Sequence, residues 1–394
     1  MRERVAVFAF SDARYDSRTL NICRTLAGTV EVALWNLGSV PSPLPSWQWH
    51  TLRNKRRGRM LWRWVLFVAT LVRHAWRWRA DLIWAADVYC LLPAVLLGWR
   101  WKAAVVYDSR ELYSSLGSLA RRPLAQRILA GYERWLVRWV DRVVVSAPRD
   151  ADEVQRLLAL RQRPVVVLNV PFYAEPARTD RLRQHCGIRH TELVLLYQGA
   201  VQEGRGLDRA VEVLRFLPEA HLCVLGDGPF AGKVTELAEQ LGVHHRVHVL
   251  GAVPYDELLE WTASADVGWC WIEPISHSYA LALPNKLFEY AMARIPVVAT
   301  DLPAIADVLA QFPFGVCLPV DTPAEKLAEV VRHVCNHAAQ YRAAADAAAR
   351  QWCYERQQPI ITELVASLIR QRTGCSKETV RAQKYQAAPE QKSK

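Results

Sequence analysis

Two successive runs of short apolar segments, each alternating with helical segments, constrain this chain more than any other feature. Because apolar strands joined by helices pair side by side through right-handed crossovers, each run predicts an α/β fold with a doubly wound parallel sheet. In the first run the predicted strands are 5–10, 30–35, 82–85, 103–107 and 142–146, and in the second they are 193–197, 221–225, 247–250, 267–271 and 296–300.

The chain of 394 residues is too long for one ordinary hydrophobic core. A proline-containing stretch at 169–179 separates the two runs, so we expect two Rossmann-like domains, 1–170 and 171–350, that face each other across a cleft. Ligands bind beyond the carboxyl ends of parallel strands, which places the expected site in that cleft. A C-terminal helix is expected at 351–370, followed by a basic, disordered tail at 371–394.

The cysteines and the N-terminus favour a cytoplasmic protein. Nine cysteines are scattered singly, without the spacing of a zinc site or a disulfide framework, which is typical of reduced thiols. The first residues lead directly into a predicted strand, so no signal peptide is expected. The longest uncharged apolar stretches are also too short to form a membrane-spanning helix.

Segment 53–79 is basic and rich in tryptophan. It contains nine Lys/Arg residues and no acid, together with Trp62, Trp64, Trp76 and Trp78. Such a mixture suits an anionic membrane surface, because tryptophan prefers the headgroup zone and cations attract anionic lipid. A solvated helix over the core and a nucleic-acid surface are the alternatives. We favour a peripheral protein on the cytoplasmic face of the membrane, with no nucleic-acid partner.

The strongest chemical pattern lies at 283–301. Asn285 is expected to cap a helix, and Lys286 and Glu289 lie three residues apart on one face of its first turn. A carboxylate there can accept hydrogen bonds from both ribose hydroxyls of a nucleotide, while the lysine faces a diphosphate. The alternative is a capped helix with a surface ion pair that contributes about 0.3–0.5 kcal/mol.

Three glycine-containing loops favour the ligand-binding interpretation. Gly199 follows the first strand of the second run, Arg205 and Gly206 precede the next helix, and Gly226-Asp227-Gly228 follows the next strand. Each loop alone is a weak signal, because turns need glycine anyway. All three lie at carboxyl ends of strands of one domain, where an arginine and free backbone N–H groups suit a phosphate.

The chain resembles glycosyltransferase family 4 over roughly residues 4–370. The resemblance is carried by Gly204-Arg205-Gly206, Gly226-Asp227-Gly228-Pro229, 284–290 and 296–298 in the second half, and by 16–18 and 106–112 in the first. It implies a GT-B fold and retaining transfer of a sugar from a nucleotide-sugar donor, expected to be a UDP- or GDP-sugar, to a glycan acceptor. The membrane interpretation of segment 53–79 adds the expectation that this acceptor is lipid-linked. It also implies that no metal or other cofactor is required.

The resemblance also implies roles for individual residues. Arg205 and Lys286 are expected to neutralise the donor diphosphate, Glu289 to hold the ribose, and Glu111 to act in catalysis. Trp352 and Glu355 are expected in a helix that crosses back to the N-terminal domain. The expected donor contacts are Gly199, Arg205, Gly206, Gly226, Asp227, Gly228, Ser278, Asn285, Lys286, Leu287 and Glu289, and the expected acceptor-side residues are Asp108, Arg110 and Glu111.

Two positions depart from the family pattern. The family has a second glutamate where this chain has Leu281, and a histidine where it has Arg110. Arg110 can bind an acceptor phosphate or indicate altered catalysis, and Asp108 and Glu111 can equally be structural caps. Asp150-Ala151-Asp152 is interpreted as acids at a helix start rather than as a metal site.

The predicted function is sugar transfer from a nucleotide-sugar donor in the assembly of a cell-surface polysaccharide. The alternative is a non-catalytic, glycosyltransferase-like binding subunit, for which Leu281 and Arg110 are the arguments. A basic nucleic-acid-binding protein ranks third, because it explains the charge but leaves the ordered loops unexplained.

Overall fold

The computed structural model describes residues 2–52, 60–115 and 122–373. The chain divides into two compact units, each built around one parallel sheet. Unit 1 comprises the described parts of Met1–Tyr113, Arg127–Val167 and Gln357–Lys394, and unit 2 comprises those of Ser114–Gln126 and Leu168–Arg356.

Unit 1 contains a seven-stranded parallel sheet in the order β3-β2-β1-β4-β5-β6-β7. Its strands are β1 Arg4–Phe8, β2 Glu31–Asn36, β3 Gln48–Thr51, β4 Leu82–Ala85, β5 Ala104–Ser109, β6 Arg142–Val145 and β7 Val165–Val166. The first helices of the chain are α1 Ser17–Ala27, α2 Met60–Ala75, α3 Val88–Trp101, α4 Pro123–Leu136 and α5 Pro148–Leu158.

The central strands of unit 1 are buried throughout because helices cover the sheet. All residues of β4 and β5 are buried, as expected for parallel strands covered on both faces. Two helices start at carboxylate caps: Asp16 accepts a hydrogen bond from the Thr19 N–H at 3.0 Å, and Asp87 accepts one from the Cys90 N–H at 2.9 Å. Such caps satisfy N–H groups that have no partner inside the helix.

Unit 2 contains a six-stranded parallel sheet in the order β10-β9-β8-β11-β12-β13. Its strands are β8 Leu193–Gln198, β9 Ala220–Leu225, β10 Val247–Gly251, β11 Val267–Cys270, β12 Val297–Thr300 and β13 Gly315–Leu318. Its helices are α6 Arg181–Cys186, α7 Leu207–Val213, α8 Ala231–Gln240, α9 Tyr255–Ala263, α10 His277–Ala280, α11 Asn285–Met292, α12 Pro303–Gln311, α13 Ala324–Asn336 and α14 Ala338–Gln351.

The strand order of unit 2 reverses between β8 and β11, which are neighbours in the sheet. In doubly wound sheets, ligands bind at the carboxyl edge beside such a switch point. The loops that follow β8 and β11 are therefore the first place to look for a site in this unit.

All ten predicted strands are present, with ends that agree to within two residues. The prediction missed β3, β7 and β13, which lie at sheet edges. Edge strands are covered less completely, and none of the residues of these three strands is fully buried. In β3, with the sequence Gln-Trp-His-Thr, the continuous apolar run that identifies a central strand is also missing.

The C-terminal helix begins later than expected. Helix α14 ends at Gln351, and α15 runs from Gln358 to Thr373 in unit 1, where it packs on α1. Proline has no N–H and is tolerated in the first helical turn, which explains why α15 starts immediately before Pro359. The expected range 351–370 is thus corrected to Gln358–Thr373, and the predicted tail from 374 onwards lies outside the described residues.

Trp352 and Glu355 lie in unit 2 rather than in the returning helix, which corrects their expected placement. The Trp352 ring contacts Phe288 and Phe312 at centroid distances of 5.6 and 4.7 Å. The Glu355 carboxylate accepts hydrogen bonds from the Tyr173 N–H at 3.0 and 3.2 Å. Both residues therefore fix the end of unit 2 in place.

Within the described ranges, no helix has both the length and the apolar character needed to cross a bilayer. The eight cysteines in these ranges are all free thiols.

Candidate functional site

Tightly packed loops form the carboxyl edge of the unit 2 sheet. Gly199 follows β8 with φ +115°, and Gly226 follows β9 with φ +143°. A Cβ atom on Gly226 would lie 1.9 Å from the Gly199 carbonyl oxygen, and one on Gly228 would lie 2.1 Å from that of Val201. Gly226 and Gly228 are therefore required by the close approach of two backbone segments, whatever ligand binds beside them.

Asp227, which was expected to contact the donor, forms hydrogen bonds within this group of loops. Its Oδ2 accepts a hydrogen bond from the Ala252 N–H at 3.2 Å, and its carbonyl accepts one from the Val201 N–H at 3.0 Å. The residue thus ties together the loops that follow β8, β9 and β10.

At the start of α11, the capping role of Asn285 and the donor contact of Leu287 are corrected, while the donor contact of Asn285 stays a prediction. The cap residue of α11 is Pro284, and no side chain caps the helix; Asn285 is its first residue and is exposed. The Leu287 side chain is fully buried in the core. Its N–H donates to the Pro284 carbonyl at 3.1 Å, so neither group of Leu287 is available to a ligand.

Lys286 is a buried cation that has no hydrogen-bond partner among the described residues. The residue is 6% exposed, and its Nζ lies 3.5 Å from the centroid of the Tyr197 ring. Burial lowers the pKa of Lys286 to about 7, and the nearby Arg205 guanidinium also lowers it, against the opposing effects of Cys270 and Glu289. An unpaired buried ammonium group is costly, and an anionic ligand would remove that cost.

Glu289 lies one turn after Lys286, as predicted, and is held by an amide. Its Oε2 accepts a hydrogen bond from Gln198 Nε2, and the Thr262 hydroxyl donates to Gln198 Oε1 at 2.8 Å. Burial raises the pKa of the Glu289 carboxyl, while Gln198 and Lys286 lower it. The second carboxylate oxygen has no hydrogen bond among the described residues and remains available as an acceptor.

Arg205 reaches the same edge from the loop before α7. Its guanidinium lies 4.5 Å from the centroid of the Tyr279 ring, and its Nε is buried with no hydrogen-bond partner in the described ranges. The adjacent Gly206 has φ +65°, and a Cβ atom there would lie 2.6 Å from the Trp271 side chain. Ser278 is half-buried on α10, whose cap is Ser276.

The structure thus brings Gly199, Arg205, Lys286 and Glu289 to one edge of unit 2. A Cβ atom on Gly199 would lie 3.8 Å from Lys286 Cε, and the Arg205 charge acts on Lys286. Sequence reasoning missed the residues that support them: Tyr197, Gln198, Thr262 and Tyr279. The available signal was the Tyr197-Gln198 pair directly before Gly199 at the end of a strand.

At the carboxyl edge of unit 1, Asp108 has no exposed surface and pairs with the buried Arg18. Arg18 Nη2 donates to Oδ1 at 2.7 Å and Nε donates to Oδ2 at 2.9 Å, while Nη1 donates to the Val167 carbonyl at 2.6 Å. Asp108 was expected on the acceptor side; the structure gives it a structural role instead.

Arg110, which was expected to contact the acceptor, also forms hydrogen bonds with other residues of unit 1. Its Nη1 donates to Asp16 at 2.7 Å, its Nη2 to the Thr19 hydroxyl at 2.7 Å, and its Nε to Asp108 at 3.3 Å. Burial lowers the pKa of Arg110, but Asp16 and Asp108 outweigh it and raise the pKa overall. Two carboxylates already balance its charge, which argues against a role in binding an acceptor phosphate.

Glu111 is exposed at the same edge. The nearby Asp150 lies in the first turn of α5, as predicted. Burial, together with the Glu111 charge, raises the pKa of Asp150 to about 6, against a hydrogen bond from Ser146.

Asp152 forms an ion pair with Arg163 at 2.7 Å. The part of the chain that the structure describes holds no group of three or more His, Cys, Asp or Glu residues placed to bind a metal ion.

Comparison with protein families matches both halves of the chain. Residues 178–352 match the family described as "Glycosyl transferases group 1". Residues 15–171 match the family described as "Glycosyl transferase 4-like domain". The two matches together cover most of the chain.

Individual relatives agree with this assignment. The chain is 25% identical over 293 residues to the 2-deoxystreptamine glucosyltransferase of Streptomyces kanamyceticus, covering 70% of this chain and 73% of the relative. It is 31% identical over 163 residues to the lipopolysaccharide glucosyltransferase WaaG of Escherichia coli K12, covering 40% of this chain and 41% of WaaG.

A solved structure shares the fold. HepE of Anabaena, solved in complex with UDP and glucose, superposes with a TM-score of 0.73 at 15% identity, covering 93% of this chain and 100% of HepE. Two parallel-sheet units of Rossmann type, this likeness and the two family matches lead to one conclusion. The chain belongs to the family-4 type of glycosyltransferases with the GT-B fold.

Proposed function

We propose that this glycosyltransferase moves a sugar from a UDP- or GDP-sugar to a lipid-linked glycan acceptor, with retention of anomeric configuration, in cell-surface polysaccharide assembly. The observation that carries the proposal is the buried Lys286 ammonium group, to which no described residue offers a hydrogen-bond acceptor. It lies one turn from the half-satisfied Glu289 carboxylate and close to Arg205. A nucleoside diphosphate offers each of these groups the partner it lacks.

The proposed donor contacts follow from the chemistry of each group. Lys286 and Arg205 bind the diphosphate and stabilise the negative charge that develops on it as the sugar bond breaks. Glu289 accepts hydrogen bonds from the ribose hydroxyls through the oxygen that Gln198 leaves free. Because these cations can stabilise the leaving group, the proposed reaction requires no metal ion. HepE, a protein of the same fold, was solved with UDP and glucose, which supports a uridine nucleotide.

The acceptor proposal is supported by two observations. The relative WaaG is named for lipopolysaccharide, a lipid-linked glycan. In unit 1, Glu111 is an exposed carboxylate at the carboxyl edge of the sheet, and we assign it to the acceptor side.

We further propose that the protein is peripheral on the cytoplasmic face of an anionic membrane. Residues 53–59 of the basic, tryptophan-rich segment lie outside the described residues, and 60–75 form α2. Phe67 and Leu71 of α2 pack into the unit 1 core, while Leu61 and Trp62 are each 65% exposed. Exposed apolar side chains in a segment with many cations suit a lipid interface.

Calorimetric titration with UDP and with GDP tests the donor site. We expect one of the two nucleotides to bind, and Glu289→Ala to weaken that binding by roughly tenfold or more, because the ribose hydrogen bonds to a carboxylate are lost. Equal affinity in wild type and Glu289→Ala would remove Glu289 from the site.

The competing function is a non-catalytic binding subunit. Leu281, half-buried after α10, leaves this position without the carboxylate of other family members, and Arg110 is fully paired. Sugar transfer or donor hydrolysis by the purified protein alone would dismiss this alternative. Nucleotide binding without turnover on any lipid-linked acceptor would support it. NMR of the anomeric proton in the product decides between retention and inversion.

A further inference from the structure

A second exposed apolar surface lies on unit 1, on helices α3 and α4. Leu96 and Trp99 lie three residues apart on α3, and they are 41% and 57% exposed. Ile128 and Trp135 lie two turns apart on α4, and they are 64% and 51% exposed. Residues with these spacings share one face of a helix, so each helix presents an apolar row to the surface.

A tryptophan cluster joins the two rows. The Trp139 ring contacts Trp99 at a centroid distance of 5.3 Å and Trp135 at 4.8 Å, both in edge-to-face geometry. We call the surface formed by Leu96, Trp99, Ile128, Trp135 and Trp139 the α3–α4 surface. Contiguous apolar surface of this kind is unusual in a protein that meets only water.

Cations without partners surround the α3–α4 surface. Lys102, Arg127, Arg134 and Arg138 are exposed and form no ion pair among the described residues. Glu133 is the one acid in the sequences of α3 and α4. It is 4% exposed, and it accepts a hydrogen bond from the Tyr107 hydroxyl at 2.6 Å. The exposed charge on these two helices is therefore entirely positive.

A cavity of about 740 Å³ opens beside the tryptophan cluster. Trp99 and Trp139 form part of its wall, and Lys102, Arg138 and Arg372 contribute cations. Arg372 is neutralised by Asp141, to which it donates at 2.8 and 2.9 Å. No described residue forms an ion pair with Lys102 or Arg138, and both line the cavity together with Trp99 and Trp139, an arrangement that suits a lipid phosphate near the headgroup zone.

We infer that the α3–α4 surface is a second membrane-binding surface, in which the apolar rows enter the interface of an anionic bilayer while Lys102 and Arg138 contact lipid phosphates. This inference deepens the proposed membrane association and rests on it. It differs from that proposal in its residues, because none of them belongs to the basic segment 53–79. Charge complementarity selects the occupant, since an anionic lipid surface offers both apolar volume and negative charge.

Sedimentation with vesicles tests the inference, using equal parts phosphatidylglycerol and phosphatidylcholine, and phosphatidylcholine alone. The variants are Trp99→Gln with Trp135→Gln, Lys102→Gln with Arg138→Gln, and Leu61→Gln with Trp62→Gln on α2. Arg215→Gln with Phe216→Gln is the matched control, because this cation and exposed ring lie together on unit 2. Nucleotide titration and thermal unfolding confirm that each variant is folded.

We expect the cation pair variant to bind anionic vesicles about 30-fold more weakly, which corresponds to about 1 kcal/mol for each charge. The tryptophan pair variant should lose at least about tenfold on both vesicle types, because its loss is apolar. The control variant should bind as wild type does.

The possible outcomes separate the two proposals. Loss of vesicle binding in the α2 variant, with wild-type binding in both α3–α4 variants, would overturn this inference and leave the proposed membrane association standing. No binding of wild type to anionic vesicles would overturn both. Retention of wild type on single-stranded RNA instead, abolished in the α3–α4 variants, would assign the surface to nucleic acid and also overturn the inference.

Discussion

The carboxyl edges of the two sheets both carry buried charged residues. Those of unit 1 are paired with each other, whereas those of unit 2 are not paired among the described residues. In unit 1, Arg18 and Arg110 share their hydrogen bonds with Asp16 and Asp108, and every charge of that network has a partner. In the described part of unit 2, Lys286 Nζ has no hydrogen-bond partner, and the hydrogen bond to the Glu289 carboxylate comes from an amide.

This difference separates charges that support the fold from charges that await a ligand. A buried ion pair with good geometry is satisfied by the protein itself, so the removal of one partner destabilises the fold. A buried charge without a partner costs stability in the free protein, and the cost is removed when a ligand of opposite charge binds. We therefore expect mutations at the unit 1 edge to change stability, and mutations at the unit 2 edge to change function.

The largest expected effect is on stability at the unit 1 edge. Arg18→Met leaves the Asp108 carboxylate buried without its bidentate partner, and should lower the free energy of unfolding by about 3–5 kcal/mol. Nucleotide affinity of the folded variant should be unchanged. Urea denaturation and calorimetry measure both quantities.

Arg14→Met is the control, because Arg14 pairs with Asp12 on the surface and its loss should leave stability unchanged. If Arg18→Met unfolded at the same urea concentration as wild type, the unit 1 network would not be a structural element.

The next effect is on function at the unit 2 edge. Lys286→Met should lower kcat/KM of sugar transfer by roughly 100-fold to 1,000-fold, since it removes a charge that stabilises the leaving group. The melting temperature should stay the same or rise, because an unpaired buried ammonium group is removed. Lys233→Met, at an exposed lysine of α8, should match wild type in both assays. If Lys286→Met lowered the melting temperature and left sugar transfer unchanged, Lys286 would be a structural residue and not a donor-binding one.

The sequence predicted only part of this difference between the two sheet edges. Lys286 and Glu289 were identified because both lie in one helical turn, and a spacing of three residues places them on one face whatever the rest of the chain does. Arg110 was misjudged because its partners are distant in the chain: Asp16 lies 94 residues away and Thr19 lies 91. No local pattern shows that α1 approaches the end of β5.

The same limit applies to the fold. Buried central strands such as β4 have continuous apolar runs and were located to the residue, whereas the edge strand β3, with the sequence Gln-Trp-His-Thr, has no such run. Asn285 was expected to cap α11 because asparagine favours that position, but the extended Pro284 precedes the helix and takes the cap position.

The pH dependence of nucleotide affinity tests the unpaired state of Lys286 in unit 2. The free Lys286 has a pKa of about 7, because burial lowers it. A bound diphosphate favours the charged form and raises that pKa, so binding takes up a proton above about pH 7. Affinity should then fall as pH rises, by up to about tenfold per pH unit.

Calorimetric titrations at several pH values measure this dependence, and buffers of different ionisation enthalpy report the proton uptake directly. Ionisation of the nucleotide itself affects wild type and Lys286→Met equally, so the difference between them isolates the lysine. Parallel pH profiles for the two proteins would show that Lys286 already carries its charge in the free enzyme.

The smallest effect is expected at the amide that holds Glu289. Gln198→Leu keeps the volume of the side chain but removes the hydrogen bond to the carboxylate, so Glu289 is no longer held in one orientation. Nucleotide affinity should fall by roughly five- to tenfold, which corresponds to about 1 kcal/mol, the net contribution of a typical hydrogen bond. Thr262→Val should produce a smaller loss, because it removes only the hydroxyl that orients Gln198.

Combined with Glu289→Ala, Gln198→Leu should add nothing further to the loss of nucleotide affinity, since it acts through the Glu289 carboxylate. An additive loss in the double variant would mean that Gln198 contacts the nucleotide itself.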